Sequence, residues 1–138
     1  MQTTLCLIKP DATKRKLAGP IIQHLEAEGF SIAAIRRVQL SKAAARAFYA
    51  VHRERPFYED LVDFMTSGPI FALVLQRADA IAHLRTVIGA TDPKEAAAGT
   101  IRAKFAASKQ ENCVHASDAP ETAAVEIPFF FSTADLLA

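Results

Sequence analysis

Pro69 to Gln76 reads PIFALVLQ, the most apolar run in the chain. It follows Gly68, and its apolar residues succeed one another without polar alternation. That pattern fits a central strand covered on both faces. If this run is central, the flanking segments must supply the covering layers.

Working outward, TTLCLIK (Thr3 to Lys9) is β-branched and apolar, and stops at Pro10 as a second buried strand. GPIIQHLEAEGF (Gly19 to Phe30) has helical spacing at Ile21, Ile22 and Leu25, with Gly29 as its stop signal. SIAAIRRVQL (Ser31 to Leu40) reads as a strand. SKAAARAFYAVH (Ser41 to His52) is an Ala-rich helix with a Ser N-cap, broken by Pro56. FYEDLVDFMTSG (Phe57 to Gly68) is a short amphipathic helix. ADAIAHLRTVIG (Ala78 to Gly89) is another helix. A long irregular stretch follows, with a helical turn at Thr100 to Phe105. CVHAS (Cys113 to Ser117) is a short strand. DAPETAAVEIPFFF (Asp118 to Phe131) begins with Asp118 as N-cap and runs as a helix to Pro128. With the paired helices merged, the order is βαββαβ. It predicts an α+β, ferredoxin-like fold with a four-stranded antiparallel sheet covered by helices, in one domain over 1–138.

Composition narrows the function classes. The chain has 138 residues, about half of them hydrophobic, and a formal charge of +1. Bulk charge therefore does not favour nucleic acid or a membrane surface, and anion binding must come from a local cluster. An RNA-binding module of this fold would carry aromatics on its central strands; PIFALVLQ has only Phe71 and TTLCLIK has none. The two cysteines, Cys6 and Cys113, suit neither a zinc site nor a disulfide framework. No signal peptide or membrane span is expected, which implies a cytoplasmic protein.

Phosphate handling needs cations and neutral donors aimed at one place. The candidates are Lys9, Arg85, Arg102 and Lys104, with Thr91 and Asn112. Lys9 stands out, because a charge at the end of a buried strand is costly unless it faces a site or pairs. Arg85 and Arg102, taken singly, read as solvated surface charges. No Gly-rich P-loop or dinucleotide fingerprint occurs. His115, in NCVHASD (Asn112 to Asp118), could act as a nucleophile if one ring nitrogen were free and an acceptor held the other. Glu126 could be that acceptor and Ser117 a bridge. Taken alone, His115 fits a structural or surface histidine in a polar turn better than a nucleophile. His24, His52 and His83 read as structural or surface residues. Tyr49, Phe57 and Leu61 fall on the paired helices. Phe57 lies at a helix start, where a rim position would let it stack on a base.

Together these segments resemble the nucleoside diphosphate kinase family, in its bacterial type with a short C-terminus. The resemblance spans essentially the whole chain and rests on LIKPDA (Leu7 to Ala12), FYAVHRERPFYEDLVDFMTSGP (Phe48 to Pro69), IGATDP (Ile88 to Pro93), GTIRAKF (Gly99 to Phe105) and NCVHASD. It implies reversible γ-phosphate transfer from a nucleoside triphosphate, typically ATP, to a nucleoside diphosphate. His115 would be the phosphorylated nucleophile, oriented by Ser117 and Glu126. Lys9 would contact the γ-phosphate, with Tyr49 beside it. Arg85, Thr91 and Arg102 would hold the phosphates, and Asn112 with Lys9 would reach the sugar. Phe57 would stack on the base and Leu61 would line its slot. Mg²⁺ would bridge the nucleotide phosphates, with no confident protein side-chain ligands. The implied assembly is a homo-oligomer, tetramer or hexamer, with Phe129, Phe130 and Phe131 available for its interface. A stacking slot also implies broad base specificity. Three positions depart from the commoner pattern: Ala116, Lys104, which would make the mouth more positive, and Lys109, which would alter base packing.

Overall fold

A computed structural model describes residues 1–137. Its sheet holds β1 (Gln2–Ile8), β2 (Ser31–Val38), β3 (Ile70–Arg77) and β4 (Val114–Ala116). The order is β2-β3-β1-β4, and every neighbouring pair is antiparallel. The helices are α1 (Pro10–Lys14), α2 (Ala18–Ala27), α3 (Lys42–Phe48), α4 (Tyr58–Met65), α5 (Ala80–Ile88), α6 (Ile101–Phe105), α7 (Pro120–Phe130) and α8 (Thr133–Leu136). This is the expected ferredoxin-like βαββαβ, and PIFALVLQ does form a central strand.

The continuous apolar runs are explained by covering on both sides. Cys6 and Ile8 of β1, with Leu73 and Leu75 of β3, pack among Ile21 and Leu25 of α2 and Leu84 and Ile88 of α5. Their sequence neighbours Leu5, Leu7, Ala72 and Val74 face Ala45 of α3, Val62 and Met65 of α4, and Ile127 of α7. Alternate residues thus enter opposite cores, each large side chain contributing roughly 1.5–3 kcal/mol on burial. The same alternation sets the fourth strand. Leu7 pairs with His115 and puts it on the α3–α4–α7 side, while Val114 and Ala116 join the other core.

Several local expectations need correction. The first strand ends at Ile8, and Pro10 does not simply terminate it. Pro10 opens α1, where its missing N–H costs nothing. The Ala-rich helix stops at Phe48 and continues as a single 3₁₀ turn, Ala50–His52, well before Pro56. Asp118 is not the N-cap of α7; Ala119 is. The Asp118 carboxylate instead accepts from the Thr122 hydroxyl at 2.7 Å, and that hydroxyl oxygen accepts from the Ala119 N–H at 2.9 Å. Helix α7 also runs past Pro128 to Phe130. Pro128 and Ala124 lie on its exposed face, so the carbonyl that loses its amide partner is open to water. Phe130 and Phe131 are buried, which leaves only Phe129 of that trio exposed. The short α8 was not foreseen; Ser132 and Asp135 cap it reciprocally.

Candidate active site

His115 sits in the middle of β4, three residues long, and its ring is held from the helix that follows. Its Nε2 lies 3.0 Å from Glu126 Oε1 on α7. The carboxylate oxygen can only accept, so Nε2 carries the proton and the lone pair lies on Nδ1. Ser117 donates to the same Glu126 oxygen at 2.7 Å. The serine therefore does not bridge histidine and glutamate; it braces the glutamate, which touches the imidazole directly. Burial pushes the Glu126 carboxyl up, but the influence of His115, foremost through its hydrogen bond, and the bond from Ser117 outweigh it and hold it below its usual range. Phe48 packs edge-on against the imidazole with ring centres 5.5 Å apart, and Tyr49 does so at 6.1 Å. The ring is thus fixed in plane and tautomer, as a nucleophilic histidine requires.

A group of cations lies on the same side. Lys9 caps α1 with only 7% of its surface exposed. Its Nζ donates to Asn112 Oδ1 at 2.8 Å and to the Gln110 carbonyl at 3.0 Å. Burial, with a further contribution from Arg102, lowers its pKa to about 8 against an opposing push from Asp11. Arg102, expected from its position to be a solvated charge, is 5% exposed. Three of its nitrogens donate to the carbonyls of Gly89, Asn112 and Val114 at 3.0, 3.3 and 2.9 Å. Burial first, and the neighbouring Arg85 next, bring its pKa down to about 10. Arg102 thus disfavours the charge on buried Lys9, and exposed Arg85 disfavours the charge on Arg102. A polyphosphate placed among them would relieve that repulsion.

The backbone beneath is bent to suit. Cys113 adopts φ +73, uncommon for a residue with a side chain. Its N–H donates to buried Asp11 at 3.0 Å, and its carbonyl accepts from the Lys9 N–H at 2.8 Å. Burial, then Asp11, pushes the Cys113 thiol up to about 12, which keeps it protonated and unreactive. Both cysteines are free and buried.

These groups line a cleft of about 770 Å³. The structure brings Lys9, Tyr49, Phe57, Leu61, Arg85, Thr91, Arg102, Asn112 and His115 to its walls. Ser117 and Glu126 stand behind His115 instead. Phe57 is 48% exposed at the rim, the position its place at a helix start suggested, and Leu61 is half-buried beside it. Sequence reasoning missed His52 and Asp60 as lining residues, and gave Asp118 only a capping role. His52 could have been found from its position between Tyr49 and Phe57, since its ring stacks on Tyr49 and tilts against Phe57. Lys104 was expected at the mouth; it does not line the cleft, and its Nζ lies 3.2 Å from His24 Nδ1.

Known proteins share this sequence pattern and this fold. The family model for nucleoside diphosphate kinase matches residues 2–136. A curated nucleoside diphosphate kinase from Campylobacter curvus is 56% identical over 136 residues, covering 99% of each chain. The crystal structure of the Aquifex aeolicus nucleoside diphosphate kinase superposes with a TM-score of 0.95, at 45% identity over 97% of both chains. A halophilic nucleoside diphosphate kinase from Halobacterium salinarum, solved in complex with CDP, gives 0.93 at 36% identity, covering 97% of this chain and 90% of that one.

Proposed function

The chain belongs to the nucleoside diphosphate kinase family and is a phosphotransferase, and we propose that it works by two half-reactions through a phosphohistidine at His115. In the first, the Nδ1 lone pair attacks the γ-phosphorus of a nucleoside triphosphate, typically ATP. A phosphorus–nitrogen bond forms, the bond to the β–γ bridging oxygen breaks, and a nucleoside diphosphate leaves. In the second, a β-phosphate oxygen of another diphosphate attacks that phosphorus and restores the free imidazole. Glu126 keeps the proton on Nε2 throughout and stabilises the positive charge that the ring acquires.

The observation that supports this most is the Glu126-held His115 sharing one cleft with three cations, Lys9, Arg85 and Arg102, of which Lys9 and Arg102 are buried. Arg85, Thr91 and Arg102 hold the phosphates, Lys9 meets the γ-phosphate and the sugar with Asn112, and Tyr49 closes the side of the imidazole. Phe57 stacks on the base and Leu61 lines the slot. Every base has a π-face, so such a slot accepts many bases. Among the described residues no three or more His, Cys, Asp or Glu gather as a metal site. The donor set instead fits Mg²⁺ arriving on the nucleotide, with Asp118 the carboxylate at the phosphate end. That acid is kept ionised first by the Thr122 hydroxyl. When bound, Mg²⁺ neutralises phosphate charge. The protein acts as one domain over 1–138 in the cytoplasm, as a tetramer or hexamer. No helix among the described residues is long and apolar enough to cross a membrane.

The test is incubation with ATP and Mg²⁺, followed by intact mass before and after mild acid. One acid-labile phosphate is expected on the wild-type chain and none on His115→Ala. Wild-type transfer by His115→Ala would end this mechanism.

A further inference from the structure

The base slot has two walls, and only one of them is apolar. Phe57 and Leu61 come from the α4 side. The facing wall is the loop that leads from α6 into β4, and it presents Lys109 to the cleft. That loop is closed on itself. The Ala107 N–H donates to the Glu111 carbonyl at 2.9 Å, and the Glu111 N–H donates to Ser108 Oγ at 3.0 Å. The Lys109 carbonyl accepts from Asn112 Nδ2 at 2.8 Å. The next residue, Gln110, is tied to the cleft floor by Lys9 and to the opposite wall by its Nε2 bond to the Asp60 carbonyl at 3.4 Å. The backbone under Lys109 is therefore fixed, while its side chain is exposed.

Among the described residues no carboxylate lies within ion-pair distance of Lys109; the acid at this end of the cleft, Asp60, pairs with no cation either. A lysine at such a place can lay its methylenes along a stacked base and extend its ammonium to the base edge. An ammonium has three donors and no acceptor. Guanine offers it a carbonyl oxygen, O6, and uracil or thymine offers O4. Adenine and cytosine carry amino groups at the corresponding places, N6 and N4, whose hydrogens repel it.

We propose that Lys109 biases base selection within this slot, favouring diphosphates whose base edge carries a carbonyl, those of guanine and uracil or thymine, over those carrying an amino group. The inference rests on the kinase reading above and adds to it. Stacking makes the slot permissive, and Lys109 grades the bases that enter. One net hydrogen bond to an exposed cation corresponds to a preference of about three- to tenfold.

The experiment uses the full chain phosphorylated from ATP, then GDP, UDP, ADP and CDP as parallel acceptors, with kcat/KM for each. The wild-type ratio of GDP and UDP to ADP and CDP is expected at about three- to tenfold. Lys109→Met, which keeps the stem and removes the charge, should bring the ratio near one, and Lys109→Arg should retain it. A wild-type ratio near one, or a ratio that Lys109→Met leaves unchanged, overturns the inference while the kinase reading stands. If no acceptor takes the phosphate, the kinase reading falls and this inference falls with it.

Discussion

Lys9 and Asn112 stand 103 positions apart in the chain, yet the Lys9 ammonium meets the Asn112 side-chain carbonyl at 2.8 Å inside the protein. That contact joins the end of the first strand to the loop before the last, and both ends line the cleft. It also holds in place a cation whose charge is easily lost.

Burial lowers the Lys9 pKa to about 8. Activity that needs the ammonium should therefore fall as pH rises through about 8. The fall should appear in kcat/KM, which reports the free enzyme, and shift upward in kcat, where bound phosphate favours the charged form. For stability the sign is opposite. Between about pH 8 and the ordinary lysine pKa the unfolded chain binds more protons, so folding becomes more favourable as pH rises there. A kcat/KM profile that stays flat to about pH 9.5 would refute the role given to Lys9.

Glu126→Gln keeps a hydrogen-bonding group near His115 but removes the charge and adds an amide that can face either way. The rate of His115 phosphorylation in a single turnover should drop about 10²-fold, with nucleotide affinity little changed. Phosphorylation at the wild-type rate would show that the carboxylate does not set the imidazole's tautomer.

Arg102→Ala removes a guanidinium that ties the carbonyls of Gly89, Asn112 and Val114 together. Three acceptors, two of them buried and that of Gly89 partly so, are left short of a partner, at a cost of about 2–4 kcal/mol. Urea denaturation should show the loss as a lower midpoint with an unchanged slope, and nucleotide KM should rise. An unchanged midpoint would mean water replaces the bonds fully.

Gly89 ends α5 with φ +88, and a Cβ there would fall 2.6 Å from the Thr100 hydroxyl oxygen. That threonine caps α6, which carries Arg102. Gly89→Ala should therefore cost about 1–3 kcal/mol from both backbone strain and the clash. Thermal melts of Gly89→Ala in the wild-type and in the Thr100→Gly background would separate the two, since only the strain survives without the threonine side chain. Identical melting temperatures for wild type and Gly89→Ala would refute the account.

Periodicity made the architecture legible, since an uninterrupted apolar run such as PIFALVLQ admits few places in a sheet. It was less informative where a proline sits. Pro10 and Pro128 look alike as stop signals, but one starts a helix and the other is carried through one, and solvent exposure decided the second case. The site residues announced themselves unevenly. Lys9 was conspicuous because a charge ended a buried strand. Arg102 gave no local sign of its burial, because three carbonyls from distant segments create its surroundings. His52 carried a weaker sign, its place between Tyr49 and Phe57, whose rings it touches.

The Leu7–His115 pairing has a consequence for how the sequence can change. The loop between α6 and β4 carries Lys109 at its exposed tip, and a change of length there would move that side chain without touching the strand. Parity in β4 is another matter. A slip of one residue would exchange His115 with Val114 or Ala116, sending the imidazole into the α2–α5 core and a small apolar group towards Glu126. The turn at Cys113, gripped by Asp11 and by the Lys9 N–H, acts as the escapement that prevents it. Insertions before Cys113 therefore leave the strand's phase intact, whereas one between Cys113 and His115 breaks it.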